Sequence, residues 1–238
     1  LQNLPQNHLQ DLSKTTDFLE VARNLVLDGE FEGLELVFGN VTNVLSQLIR
    51  TALIAPEGKT FAVADFSAIE ARVLAYIAGE TWRLEVFETH GKIYEASASK
   101  MFHVPNESVT KGSDMRQKGK VAELALGYGG ADQALLNMGA EAMGLEKAER
   151  TEVLKAWRNA NPNIVNFWQE INTAALDCVA LGFPTYVKDG LIKFEMLEND
   201  NNKEWLALTL PSGRQLMYFD PIISVGRFGG NCVSYLGT

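Results

Sequence analysis

The chain has 238 residues, 46% hydrophobic and 21% charged, with a formal net charge of −9; this is the make-up of a folded globular protein and excludes a disordered or low-complexity chain. Two cysteines, Cys178 and Cys232, offer neither a disulfide framework nor a metal-binding spacing, and no apolar run reaches the ~18–20 residues of a membrane span. The acidic balance weighs against non-specific nucleic-acid binding, which uses a basic face. Yet Lys111, Arg116, Lys118 and Lys120 stand together against one acid, Asp114, and a bound phosphate feels the local field more than the sum.

Residues 1–12 are polar, Gln/Asn-rich and carry Pro5, which reads as loop. Residues 17–38 have helical apolar spacing (Phe18, Val21, Leu25) interrupted at Gly29 and Gly33, and 41–52 form an amphipathic helix. Glu57-Gly58 marks a turn. Residues 60–66 alternate, with Phe61, Val63 and Asp65 on one side, and read as a strand. A helix over 67–78 follows, stopped by Gly79.

Residues 82–102 are helical with a break at Gly91, and 104–112 are loop. A helix over 114–128 ends at Gly129-Gly130. Helical character continues over 131–159 with a turn at Gly144, and Asn161-Pro162 starts a last helix over 163–181. The rhythm then changes to short β-runs at 192–194, 205–210 and 215–218. The hairpin signals that separate or bound them are Asp189-Gly190, Asn199–Asn202 and Ser212-Gly213.

Two constellations carry chemistry. Asp65 sits between an apolar run and a helix, where a carboxylate can hold a cation at a rigid edge or simply cap the helix. Ser67-Ala-Ile-Glu70 has the form of a capping box, a complete structural reading for Glu70. Arg116, Lys120, Leu124 and Tyr128 are spaced i, i+4, i+8 and i+12 and share one helix stripe. Two cations one turn apart can grip neighbouring phosphates; Lys118, Lys120 and Glu123 could equally be a solvated face. Tyr128 beside Gly129-Gly130 offers a flat surface with open backbone, suited to stacking on a base or to packing. His8, His90 and His103 are scattered, with no ligand spacing.

The order of these motifs resembles the family A DNA polymerases, the DNA polymerase I-like group and its phage members. Asp65-Phe-Ser-Ala-Ile-Glu70-Ala-Arg72 is similar to the family's motif A, DYSQIELR. Arg116-Gln-Lys-Gly-Lys120-Val-Ala-Glu-Leu124-Ala-Leu-Gly-Tyr128-Gly129 is similar to motif B, RxxxKxxxFxxxYG. Ile49-Arg50-Thr-Ala-Leu-Ile-Ala-Pro56 resembles IRQAFIAP, and Leu1-Gln-Asn-Leu-Pro5 resembles LQNIP.

The resemblance implies an α+β fold: a partial palm sheet holding Asp65, and a mostly helical fingers region holding 116–128. Residues 1–79 would be palm, 80–222 fingers, and 223–238 the start of a return to the palm. It implies template-directed DNA synthesis from dNTPs on primer–template DNA with two Mg²⁺ ions. Asp65 would hold both ions with the Phe66 carbonyl assisting. Arg116 and Lys120 would hold the triphosphate, with Lys120 able to protonate the leaving pyrophosphate. Glu70 would block a ribose 2′-hydroxyl, Tyr128 would sit by the templating base, and Arg50 would lie near nucleotide or primer–template.

This sequence departs from the pattern at two of these positions. Leu124 stands where an aromatic usually stacks on the incoming base, and Tyr94 stands where the family often has His near the phosphates. The family's second catalytic Asp has no match before Thr238, and the chain begins with Leu. A palm–fingers piece of a longer polymerase, inactive alone, is therefore expected. Replication accessory proteins are possible partners, no membrane is involved, and the expected location is cytoplasmic, that of a bacterial host if phage-encoded. The competing readings are a single-subunit RNA polymerase, in which a small residue is expected in place of Glu70, and a non-catalytic nucleic-acid-binding module.

Overall fold

The computed structural model describes residues 5, 7–12, 14–198, 203–226 and 229–237. The first four residues of the LQNLP stretch and the Asn199–Asn202 hairpin signal lie outside the described residues. The chain divides into two compact units, Leu1–Asp65 and Phe66–Thr238.

The first unit is helical. Helices α1 (Phe18–Leu27), α2 (Phe31–Phe38) and α3 (Val41–Leu48) are followed by a 3₁₀ turn at Ile49–Ala52. Asp17 and Asn40 cap α1 and α3 by accepting the backbone N–H of the third residue on. Gly29 breaks the first pair of helices at φ 74°. Gly33 does not interrupt: it lies inside α2, where the Leu25 side chain packs close against it. Leu9, Ala22, Leu34 and Val44 form the small core.

Residues 60–66 do not form the expected strand. A strand is a hydrogen-bonded ladder and needs a neighbour; no described residue from 53 to 66 pairs with one. Phe61, Val63 and Asp65 all face solvent, Val63 with 89% exposure. The Glu57-Gly58 turn does form, closed by Lys59 N–H to the Pro56 carbonyl at 3.0 Å.

The second unit begins with α4 (Ile69–Ala78), α5 (Thr81–Thr89), α6 (Ile93–Phe102), α7 (Asp114–Leu126), α8 (Asp132–Asn137), α9 (Lys147–Ala160) and α10 (Pro162–Leu181). Gly79, Gly91 and Gly144 end or separate helices, as the sequence suggested. After α10 the chain forms an antiparallel meander of β1 (Thr185–Val187), β2 (Ile192–Glu198), β3 (Glu204–Thr209), β4 (Gln215–Val225) and β5 (Asn231–Leu236), in that spatial order. Thus the α+β class holds, with the sheet built from residues 185–236 and Asp65 in none of its strands. The β4–β5 ladder carries an irregularity between Phe219 and Ile222, where Asp220 takes φ 50°.

The core runs between the helices and continues under the sheet, with Leu126, Leu135, Trp157, Ile164, Phe194 and Leu206 buried. Trp157 and Trp168 stack at 5.9 Å. No described helix is long and apolar enough to cross a membrane.

Candidate functional site

Helix α7 is the frame of the site. Ser113 starts it, its hydroxyl accepting the Arg116 N–H at 3.3 Å. Gly119 lies mid-helix, where glycine costs about 1 kcal/mol relative to alanine. Its position against α6 accounts for it: a Cβ there would collide with the Tyr94 carbonyl and come within 3.0 Å of the Ala98 Cβ. The bare backbone lets α6 and α7 touch.

That close seam joins Arg116 to Glu95. The Arg116 Nε donates to Glu95 Oε1 at 2.6 Å, and the guanidinium lies 5.5 Å from the centre of the Tyr94 ring. Burial pushes the Glu95 carboxyl up. The hydrogen bond and charge of Arg116, with the residue's own backbone and Lys92, outweigh that and hold it below its ordinary value. Lys120 is exposed and pairs with no carboxylate among the described residues. Leu124 and Tyr128 continue the exposed strip, though Tyr128 lies just past the end of α7.

The motif that follows Asp65 reaches this strip. The Tyr128 hydroxyl donates to Glu70 Oε2. Although the Tyr128 ring is largely exposed, partial desolvation of its hydroxyl comes first, with the hydrogen bond and charge of Glu70 adding to it, and together they push the phenol up to about 12. The capping box read from Ser67 and Glu70 is not formed. Helix α4 starts one residue later, from Ala68 at φ 51°, which has no side-chain oxygen to cap with. Glu70 is thereby committed to Tyr128 and not to its own backbone. The Ser67 carbonyl instead accepts from Arg72 Nε at 2.9 Å.

Asp65 is exposed at the end of the first unit, and Phe66, 78% exposed, opens the second. Arg50 belongs to the first unit, where its Nε donates to the Pro5 carbonyl at 2.8 Å. The Asp65 carboxylate and Phe66 carbonyl are hard oxygen donors, the kind magnesium takes one or two of while substrate phosphates and water fill its remaining positions. Among the described residues no three His, Cys, Asp or Glu side chains gather into a metal cage.

Glu123 is not the surface charge its position in the helix permits. It is buried and accepts from Arg83 Nη1 at 2.9 Å and from Nη2, from Ser97 Oγ at 2.7 Å, and from Trp157 Nε1 at 2.9 Å. Arg83 is 1% exposed and donates also to Asn161 Oδ1 at 3.0 Å. This buried node locks α7 to α5, α6 and α9. Sequence reading missed the node, Glu95 and the seam at Gly119; a glycine inside a strong helix pattern was the one available signal.

An anchored guanidinium, an ammonium one turn on, and an apolar and an aromatic side chain beyond them can receive a chain of phosphates and the ring system attached to it. Residues 39–180 match the family model described as DNA polymerase family A. The chain belongs to that family. It is 52% identical over all 238 residues to a DNA polymerase of Bacillus phage SP02, covering 35% of that protein. It is 39% identical over 89 residues, 37% of this chain and 10% of the relative, to the thermostable DNA polymerase I of Thermus aquaticus. Over 129 residues, 54% of this chain and 14% of the relative, it is 28% identical to DNA polymerase I of Pseudomonas aeruginosa. The chain thus spans about a third of the phage relative's length.

Proposed function

We propose that this chain forms the part of a DNA-directed DNA polymerase that receives the incoming deoxynucleotide and one end of the catalytic metal site. The carrying observation is the α7 strip, with Arg116, Lys120, Leu124 and Tyr128, bonded through Tyr128 to Glu70 of the motif that begins at Asp65. Its setting in a family whose matching relatives are DNA polymerases supports this reading.

In it, Arg116 and Lys120 hold the triphosphate, and Lys120 stands ready to give a proton to the departing pyrophosphate oxygen. Glu70, kept in place by Tyr128, occupies the space a ribose 2′-hydroxyl would need. Tyr128 and Leu124 meet the base plane or its template partner, and Tyr94 supports Arg116 from beneath. Arg50 contacts nucleotide or primer–template. Asp65 and the Phe66 carbonyl would hold Mg²⁺. Two such ions, when bound, would neutralise the triphosphate and favour attack by the primer 3′-hydroxyl. One carboxylate is a poor clamp for two ions, so the 238 residues by themselves are expected not to extend a primer.

The test is primer extension by the full-length protein carrying Asp65→Asn. Extension should fall by about a thousandfold or more, the scale of losing a central electrostatic contact, while Glu57→Gln, an exposed acid on the nearby turn, leaves it unchanged. Activity of Asp65→Asn within tenfold of the parent sinks the assignment.

A further inference from the structure

We propose that Glu95 is a positioning residue for the incoming triphosphate: it holds the Arg116 guanidinium by Nε and leaves both terminal NH₂ groups for the phosphates. This rests on the reading that Arg116 binds the triphosphate.

The geometry separates this role from a plain surface ion pair. The contact is made through Nε at 2.6 Å, and no other bond of the Arg116 guanidinium to a described residue competes for its outer edge. The pair is shielded, with the Arg116 side chain 20% and the Glu95 side chain 13% exposed. Tyr94 covers one face of the guanidinium. Gly119 fixes the separation of α6 and α7, so the Glu95 carboxylate is held at a set place. An arginine is a planar fork whose use against phosphate depends on orientation, whereas a lysine is a point charge that tolerates loose placement.

The three cations of α7 follow that division. Arg116 is anchored from behind by Glu95. Lys120 has no carboxylate partner among the described residues. Lys118 is drawn away by Asp114 at 3.3 Å and Glu149 at 3.6 Å. The opposite role, in which Glu95 competes with phosphate for Arg116, requires the carboxylate to cover the terminal nitrogens, and the Nε contact does not.

The experiment is steady-state primer extension by the full-length protein with varied dNTP. The variants are Glu95→Ala, Glu95→Gln, Arg116→Ala and the Glu95→Ala/Arg116→Ala pair, each with a thermal melt. Glu95→Ala should raise KM for dNTP about tenfold, the cost of one lost charge-assisted contact, with kcat nearly unchanged. Glu95→Gln, which keeps an acceptor oxygen, should recover most of the loss, and Glu95→Ala should add nothing in the Arg116→Ala background. A lower KM in Glu95→Ala would make Glu95 a competitor of the phosphates and overturn the proposal. An equal rise in both backgrounds would show a merely structural pair and also overturn it. An Arg116→Ala variant with unchanged KM fails at the earlier step, the role of Arg116 itself. Should Glu95→Ala not fold, Glu95→Met keeps the packing stem without an acceptor and is read the same way.

Discussion

Replacing Glu123 with alanine tests whether α7 is held by a buried charge node. The substitution removes four accepted hydrogen bonds, two from Arg83, one from Ser97 and one from Trp157. Arg83 would remain buried, keeping among the described residues its hydrogen bond to Asn161 and the Trp82 and Trp157 rings but no carboxylate. Breaking one side of a buried ion pair costs about 3–5 kcal/mol, because the surviving charge is left uncompensated. Two orphaned neutral donors add roughly 1 kcal/mol each, less whatever relaxation recovers. The expected loss is therefore on the order of 4–6 kcal/mol, which in a unit of this size lowers Tm by roughly 10–20 °C. Urea and thermal unfolding followed by circular dichroism measure it. The double variant Arg83→Met/Glu123→Leu removes both charges and should recover most of the loss. A single-variant loss below about 1 kcal/mol, or a double variant no better than the single, would refute the reasoning.

Gly119→Ala sets two effects against each other: a helix-propensity gain of about 1 kcal/mol and an overpacking cost of about 1–3 kcal/mol. Because the obstacle is the Tyr94 carbonyl, which is backbone and cannot swing aside, overpacking should win. The melt should fall and KM for dNTP rise as Arg116 is carried off Glu95. The Tyr128 phenol, pushed up to about 12, should ionise near that pH when followed at 295 nm as a difference against Tyr128→Phe, and Glu70→Gln should move the transition back toward 10. A phenol whose pKa is raised on folding favours the protonated form, so its stabilising contribution is full below pH 10 and fades as pH rises from 10 to 12.

The helices were legible because their apolar spacing and their glycine stops agree. Gly79, Gly91 and Gly144 each punctuate the chain where the pattern breaks. The strand over 60–66 was misread because alternation reports a pleat only where a ladder partner exists, and sequence carries no such partner list. The same limit explains the capping box. Ser67 and Glu70 have the right spacing, but the left-handed turn at Ala68 starts the helix one residue late and frees Glu70 for Tyr128, 58 positions away. The first and last strands of the meander, β1 and β5, escaped because one is three residues long and the other has no clear alternation.

A chain of net charge −9 has to reconcile that charge with the phosphate-binding face proposed for α7. The answer lies in how individual cations are committed. Arg83, Lys118 and Arg150 are each matched to carboxylates within hydrogen-bond or ion-pair reach, so they contribute little field to solvent. Lys120 is unmatched among the described residues and exposed on the same helix face as Arg116, whose pairing goes through Nε. In the proposed site a phosphate would meet Lys120 as an uncompensated charge and Arg116, whose net charge Glu95 largely offsets, through its open terminal NH₂ donors; salt limits the reach of more distant acids to about 10 Å. The stripe of Arg116, Lys120, Leu124 and Tyr128 was readable from spacing. That the neighbouring Lys118 is paired is half legible, since Asp114 lies one turn before it on α7, but Glu95 from α6 and Glu149 from α9 come within reach of these cations only in the fold.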